Sequence, residues 1–308
     1  MYDLIIIGGG PAGVAAGVYA ARKRLKTLLI TKDWGGQSIV STEIQNWIGT
    51  VALPGPKLAS DLREHLEAYA GDIVTVAAGK NATSLIKLED GTFAVTLEGD
   101  LVHTSRAVLI ASGSGRRRLD VPGADQFEHK GVTYCASCDG PIFAGQDVVV
   151  IGGGNAGFES AAQLLAYAKS VTLLHRSSAF KADAITIEKV LAHPNMRAYT
   201  NAVPTGVLGE KFVSGLSYTT ADGSTHTLPV TGVFVEIGMI PNTDFAKEVV
   251  ELDEYNRVKI DPWTQATSTP GIWAAGDCTN VKYHQNNISA GDGVKALEDI
   301  YVTLKTKS

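Results

Sequence analysis

Leu4-Ile5-Ile6-Ile7-Gly8-Gly9-Gly10-Pro11-Ala12-Gly13 decides the fold. The apolar run over residues 3–7 reads as a strand of a parallel sheet buried on both faces. The alanine-rich stretch from Ala12 to Arg24 reads as a helix. Between them stands Gly-x-Gly-x-x-Gly. Glycines at that spacing let the backbone approach a pyrophosphate, and the first turn of the helix offers N–H donors and partial positive charge. Strand, turn and helix together predict a dinucleotide-binding unit.

The same phrase returns 144 residues later, at Gly152-Gly153-Gly154-Asn155-Ala156-Gly157. Asp147-Val148-Val149-Val150-Ile151 supplies its strand, and a helix runs from Asn155 to Tyr167. The spacing predicts an α/β chain of two similar, Rossmann-like nucleotide-binding domains, the second inserted into the first. Thr27–Ile30, Ala107–Ala111, Val171–Leu174 and Val230–Ile237 read as further strands, and Leu58–Tyr69 as an amphipathic surface helix. Residues 73–104 read as short strands with turns at Asp90-Gly91 and Gly99-Asp100. Ser112-Gly113-Ser114-Gly115 and Gly238-Met239-Ile240-Pro241-Asn242 are candidate hinges. They bound domains at 1–114 with 243–308, and at 115–242. Gly271–Asp277 reads as a strand ending in an acid, followed by a closing helix from Ser289 to Leu304.

Ahead of the second glycine turn lies Cys135-Ala136-Ser137-Cys138-Asp139. The pair has three readings: a redox dithiol that cycles with its disulfide, half of a zinc site completed by Cys278 and His284, or two inert buried thiols. Its place before a nucleotide-binding turn favours the redox reading and an expectation of no metal. Asp139 is then placed to give or take a proton beside the sulfurs. Asp139-Gly140-Pro141 is equally a turn sequence.

Composition limits the alternatives. With 44% apolar and 19% charged residues, the 308-residue chain can bury two full cores. A formal charge of −5 disfavours a general nucleic-acid binder. The apolar run at residues 4–7 is too short to span a bilayer and lacks the flanks of a signal peptide. Three cysteines cannot make a secreted disulfide framework. The expectation is a cytoplasmic protein with no membrane or nucleic-acid partner. In the second unit, Arg176 stands where a carboxylate would bind a free ribose diol, with Lys181 close behind. Cations there favour a 2′-phosphate, and so NADPH over NADH.

Taken in order, Gly8–Gly13, Gly36-Gln37, Cys135–Asp139, Gly152–Gly157, His175-Arg176 and Gly276-Asp277 resemble the low-molecular-weight thioredoxin reductases over nearly the whole chain. The resemblance implies two domains of the three-layer ββα type. It implies FAD on Gly8, Gly10, Pro11, Ala12, Gly13, Gly36, Gln37, Asn46, Asp277 and Gln285. It places NADPH on Gly152, Gly154, Asn155, Ala156, Gly157, Arg176 and Lys181. It also implies a homodimer, with Cys138 facing the flavin and Cys135 attacking the disulfide of thioredoxin or a thioredoxin-like protein. Two departures matter: Ser177 and Lys181 stand where that family carries arginines. Phe180-Lys181-Ala182-Asp183 and Gly276-Asp277-Cys278-Thr279-Asn280-Val281 are similar instead to the flavoprotein component of alkyl hydroperoxide reductase, which implies NADH and a peroxiredoxin or glutaredoxin-like partner. A ferredoxin-linked reductase and a non-catalytic nucleotide sensor are the competing functions.

Overall fold

In the computed structural model, which describes residues 1–41 and 43–306, the opening apolar run is strand β1 (Tyr2–Gly9). It leads into α1 (Pro11–Arg22), β2 (Thr27–Trp34), α2 (Gly55–Ala70), β3 (Val74–Ala78), β4 (Ala82–Lys87), β5 (Phe93–Leu97) and β6 (Val102–Ile110). Strand β7 (Ser114–Arg116) carries the chain out of this unit. The second unit holds β8 (Val132–Thr133), α3 (Ala136–Asp139), β9 (Asp147–Ile151), α4 (Asn155–Leu164), β10 (Ser170–Leu174), α5 (Ala184–Leu191), β11 (Met196–Tyr199), β12 (Val203–Gly209), β13 (Val213–Thr219), β14 (Thr225–Leu228) and β15 (Gly232–Val235). Strand β16 (Met239–Pro241) carries the chain back, and β17 (Ile272–Ala274) and α6 (Asn286–Thr306) finish the first unit. By their internal contacts the units are Met1–Gly115 with Ile240–Ser308, and Arg116–Met239. Among the described residues no helix is long and apolar enough to cross a membrane.

In the first unit the strands run in the order β3-β2-β1-β6-β5-β4, with β17 beside β6. Strands β1, β2, β3, β6 and β17 pair in parallel, whereas β5 joins β6, and β4 joins β5, antiparallel. Alternation along β1 builds both cores. Leu4 and Ile6 pack with apolar residues of α1, α2 and α6. Ile5 and Ile7 pack on the other face with Leu85, Phe93 and Val95 of β4 and β5. All four β1 side chains are buried, and each contributes about 1.5–3 kcal/mol. The third layer of this unit is therefore an extension of its own sheet.

The second unit has a separate third layer. Its parallel sheet runs β11-β10-β9-β15-β8, and β12-β13-β14 form an antiparallel sheet of their own. Val148 and Val150 pack on Phe158, Ala161 and Leu164 of α4. Val149 and Ile151 pack towards Val213, Leu216 and Tyr218. Both units are Rossmann-like, each with a glycine turn between its first strand and first helix.

Several element ends depart from the sequence expectation: α4 stops at Leu164 rather than Tyr167, and β15 covers only Gly232–Val235 of the expected Val230–Ile237. Strand β2 continues four residues past Ile30, so Asp33 lies on a strand. Helix α6 starts at Asn286, three residues before Ser289. Within the first unit, Ser112 Oγ donates to the Asn242 carbonyl (2.7 Å), and the Asn242 side chain donates back to that of Ser112 (3.0 Å). Within the second, the Arg117 N–H donates to Gly238 O (3.0 Å).

Candidate active site

The two glycine turns are built alike. Gly8 has φ +127° and Gly152 has φ +125°, in the region that side chains avoid. A Cβ on Gly8 would lie 2.0 Å from Ala111 O, and one on Gly152 would lie 2.1 Å from Glu236 O. The last glycine of each turn lets the helix lie close on its strand. A Cβ on Gly13 would meet Gly8 O at 1.9 Å, and one on Gly157 would meet Gly152 O at 1.9 Å. The middle glycines, Gly10 and Gly154, are N-caps that make no side-chain capping bond. Gly154 has open space where a Cβ would point, and at Gly10 the nearest atom is 3.9 Å away. The first-turn N–H groups are thus left to an incoming anion.

In the first unit that turn opens into a cavity of about 1010 Å³ lined by Gly8, Gly9, Gly10, Pro11 and Ala12. Thr31, Lys32, Asp33, Lys80 and Glu98 line it too, as do Gly36, Gln37, Asp277 and Ser289. Asp33 stands near the end of β2, where a ribose contact belongs. Gln37 Nε2 donates to the carbonyl and Oγ of Ser114. Ser289 Oγ donates to Asp277 Oδ1 (3.2 Å), orienting that carboxylate at the rim. Uncapped N–H donors, an acid by β2 and a second acid by α6 suit an extended dinucleotide. Gly13, Asn46 and Gln285 do not line the cavity. Gly13 packs α1 on β1, and Asn46 Nδ2 donates to Gln285 Oε1 (3.1 Å), tying a loop to the start of α6. Lys80 and Glu98 carry no sequence signal, since strand pairing brings them to the site from far along the chain.

In the second unit His175 sits under the glycine turn, and its Nδ1 accepts from the Gly153 N–H (3.1 Å). Burial, reinforced by the positive charges of Lys181 and Arg176, holds His175 below its ordinary pKa, as an acceptor requires. The Lys181 N–H donates to Gly153 O (2.7 Å), so Arg176 and Lys181 flank the turn. Both are exposed. Among the described residues neither makes an ion pair, which leaves two cations for an anionic group. Asn155 Oδ1 accepts from the Asp183 N–H (2.8 Å), and Asn155 and Ala156 lie exposed at the mouth of the turn.

Cys135 and Cys138 form a disulfide with Cα atoms 5.3 Å apart. With that bond closed, neither sulfur is free to ligate a metal beside Cys278 and His284. Cys278 is a buried thiol pushed up to about 11 by burial. Among the described residues no cluster of His, Cys, Asp or Glu could hold a metal. Cys135 caps α3, and its Sγ accepts from the Cys138 N–H (3.2 Å). Thr133, at the end of β8, donates its hydroxyl to Asp139 Oδ2 and so fixes that carboxylate. Ser137 Oγ donates to Gln163 Oε1 of α4 (2.7 Å). The disulfide turn is therefore fastened to the helix that rises from the second glycine turn. Both cysteines are half-buried. The disulfide and the second glycine turn are served by one parallel sheet.

Residues 2–293 match the family described as pyridine nucleotide-disulphide oxidoreductase. The chain belongs to that family. Its members are oxidoreductases that use a flavin and a pyridine nucleotide. Among curated relatives, the F subunit of alkyl hydroperoxide reductase from Pseudomonas putida is 41% identical over 299 residues, or 96% of this chain. The chain spans only 56% of that relative's length. Among solved structures, thioredoxin reductase from Streptococcus pyogenes is 33% identical with a TM-score of 0.89, covering 99% of both chains. Thioredoxin reductase from Giardia duodenalis is 31% identical with a TM-score of 0.91, covering 98% of this chain and 99% of its own. The family's two nucleotide-binding folds and its disulfide are all present.

Proposed function

We propose that this chain is a thioredoxin-disulfide reductase. Two electrons from NADPH pass by way of FAD to the Cys135–Cys138 disulfide and on to thioredoxin or a thioredoxin-like protein. The observation that carries the reading is the closed Cys135–Cys138 bond, fastened through Ser137 and Gln163 to the helix of the second glycine turn, with Asp139 held beside it. Bound FAD would supply the two-electron relay. It would lie on Gly8–Ala12, Gly36, Gln37 and Asp277, with Gly13, Asn46 and Gln285 shaping the frame. NADPH would lie on Gly152–Gly157, Arg176 and Lys181.

Opening the disulfide takes two electrons and two protons, and Asp139 is the group placed to hand over one proton. The Cys138 N–H, 3.2 Å from Cys135 Sγ, stabilises negative charge on that sulfur once the bond opens. Cys135 then attacks the partner disulfide, and Cys138 resolves the mixed disulfide. Asp139→Asn is expected to lower the turnover of disulfide reduction about 100-fold. Thr133→Val, which only releases the carboxylate, is expected to cost about threefold to tenfold. Stopped-flow traces should show anaerobic flavin bleaching little changed in both.

A second reading has its own support. Ser177 and Lys181 weaken bidentate phosphate recognition, and the 41% identity to an alkyl hydroperoxide reductase component points to NADH and a peroxiredoxin-type partner. Anaerobic titration of the flavin with NADPH and NADH side by side, followed by thioredoxin, separates the readings. NADPH is expected to be preferred about tenfold in kcat/KM, and Arg176→Ala to erase most of that preference. A preference for NADH transfers the assignment to the second reading. Bleaching by neither coenzyme removes both.

A further inference from the structure

Glu236 follows β15, the strand beside β9 on the side away from β10. A dinucleotide on a Rossmann-like sheet crosses the carboxyl ends of the strands at the point where strand order reverses. Its adenosine half lies by the second strand, here β10, where Arg176 and Lys181 stand. Its other half must therefore extend over the end of β15. Glu236 meets the turn there directly: its carbonyl is the atom a Cβ on Gly152 would strike. Its side chain is half-buried and reaches α4, where Ser160 Oγ donates to Oε1 (2.6 Å). Among the described residues Oε2 takes no hydrogen bond.

We propose that Glu236 is a positioning residue for the nicotinamide half of the coenzyme, and that its carboxyl serves best as the neutral acid. The proposal rests on the coenzyme reading above. A neutral carboxyl has one O–H to donate, which suits a carboxamide oxygen or a ribose hydroxyl. An ionised one cannot donate, and it repels a ligand that already carries phosphate charge. The charged groups facing it are Glu159 on α4 and Arg116 at the edge of the unit, and the polar neighbour is Ser160. Burial outweighs the opposing Ser160 bond and Arg116 charge, and with Glu159 it pushes Glu236 up to about 7. The group is therefore neutral below neutrality and ionised above it, so affinity falls as pH rises.

The test is calorimetric titration of NADH and NADPH, whose nicotinamide ring is uncharged, into flavin-loaded protein already reduced with dithionite, at about pH 6 and about pH 8.5, values either side of neutrality. Wild-type Kd is expected to weaken about fivefold or more at the higher pH. E236Q, which cannot ionise but still accepts from Ser160, is expected to change by less than about twofold in the same interval. Wild type should also take up protons on binding near neutrality, and E236Q should not. S160A removes a bond that favours the carboxylate and should move the midpoint of the profile upwards. Binding with the same pH profile in wild type and E236Q overturns this proposal alone. Wild type that binds neither nucleotide overturns it together with the coenzyme reading.

Discussion

Replacing Cys138 by serine is expected to abolish disulfide output while sparing flavin reduction. The variant should reduce thioredoxin at least about 1,000-fold more slowly than wild type, because nucleophile and resolving sulfur act as one unit. Bleaching by NADPH should persist, since the nucleotide turns lie on other segments of the chain. The two cysteines should then fail differently. In C138S the remaining Cys135 can attack a partner disulfide, but no neighbouring sulfur releases the product. A mixed disulfide should accumulate and show as a shifted band on a non-reducing gel. In C135S the nucleophile is missing and no such adduct should form. The asymmetry follows from the Cys138 N–H, which points at Cys135 Sγ. An adduct on C135S alone would reverse the assignment.

Gly13→Ala and Gly157→Ala test the two turns one at a time. In each case the new Cβ would fall 1.9 Å from the carbonyl of the glycine that opens the turn, and backbone cannot yield as a flexible side chain would. The helix must lift off its strand, at a cost of about 1–3 kcal/mol or more. That lift moves the first-turn N–H groups away from the phosphates. G13A is expected to purify with flavin affinity reduced about 10- to 100-fold and a correspondingly weak yellow colour. G157A should keep its flavin and raise KM for the coenzyme by a similar factor. The ratio of flavin to protein absorbance reads the first outcome, and steady-state kinetics reads the second. A fully yellow G13A would remove the flavin from the first turn.

The parts of the fold visible in the sequence are those whose cause is local. Glycine spacing, apolar runs and the CxxC motif each act within one strand–turn–helix phrase, so β1, α1, β9 and α4 can be read directly. Asp33 is less legible, because β2 outlasts its apolar run and ends on Thr31-Lys32-Asp33-Trp34. The Thr133–Asp139 bond was within reach of the sequence, since a hydroxyl six residues before an acid can fold back on it. The Ser160–Glu236 bond was not. Those residues are 76 positions apart, and only the pairing of β9 with β15 brings them together. Lys80 and Glu98 reach the first cavity in the same non-local way. Asn46 and Gln285, which the resemblance implies as FAD contacts, are likewise far apart in the chain and hydrogen-bond each other.

The order of synthesis sets a constraint on how this chain matures. Helix α6 lies against α1 so closely that a Cβ on Gly293 would fall 2.1 Å from Ala12 O. Yet α6 leaves the ribosome only after the whole of Arg116–Met239. The inserted unit is continuous and can close its cores as soon as it emerges. The N-terminal half, with its glycine turn already made, must wait with one wall of its core open. A nascent chain stalled just before Asn286 should therefore protect the inserted unit from protease while leaving α1 and β1 open to cleavage.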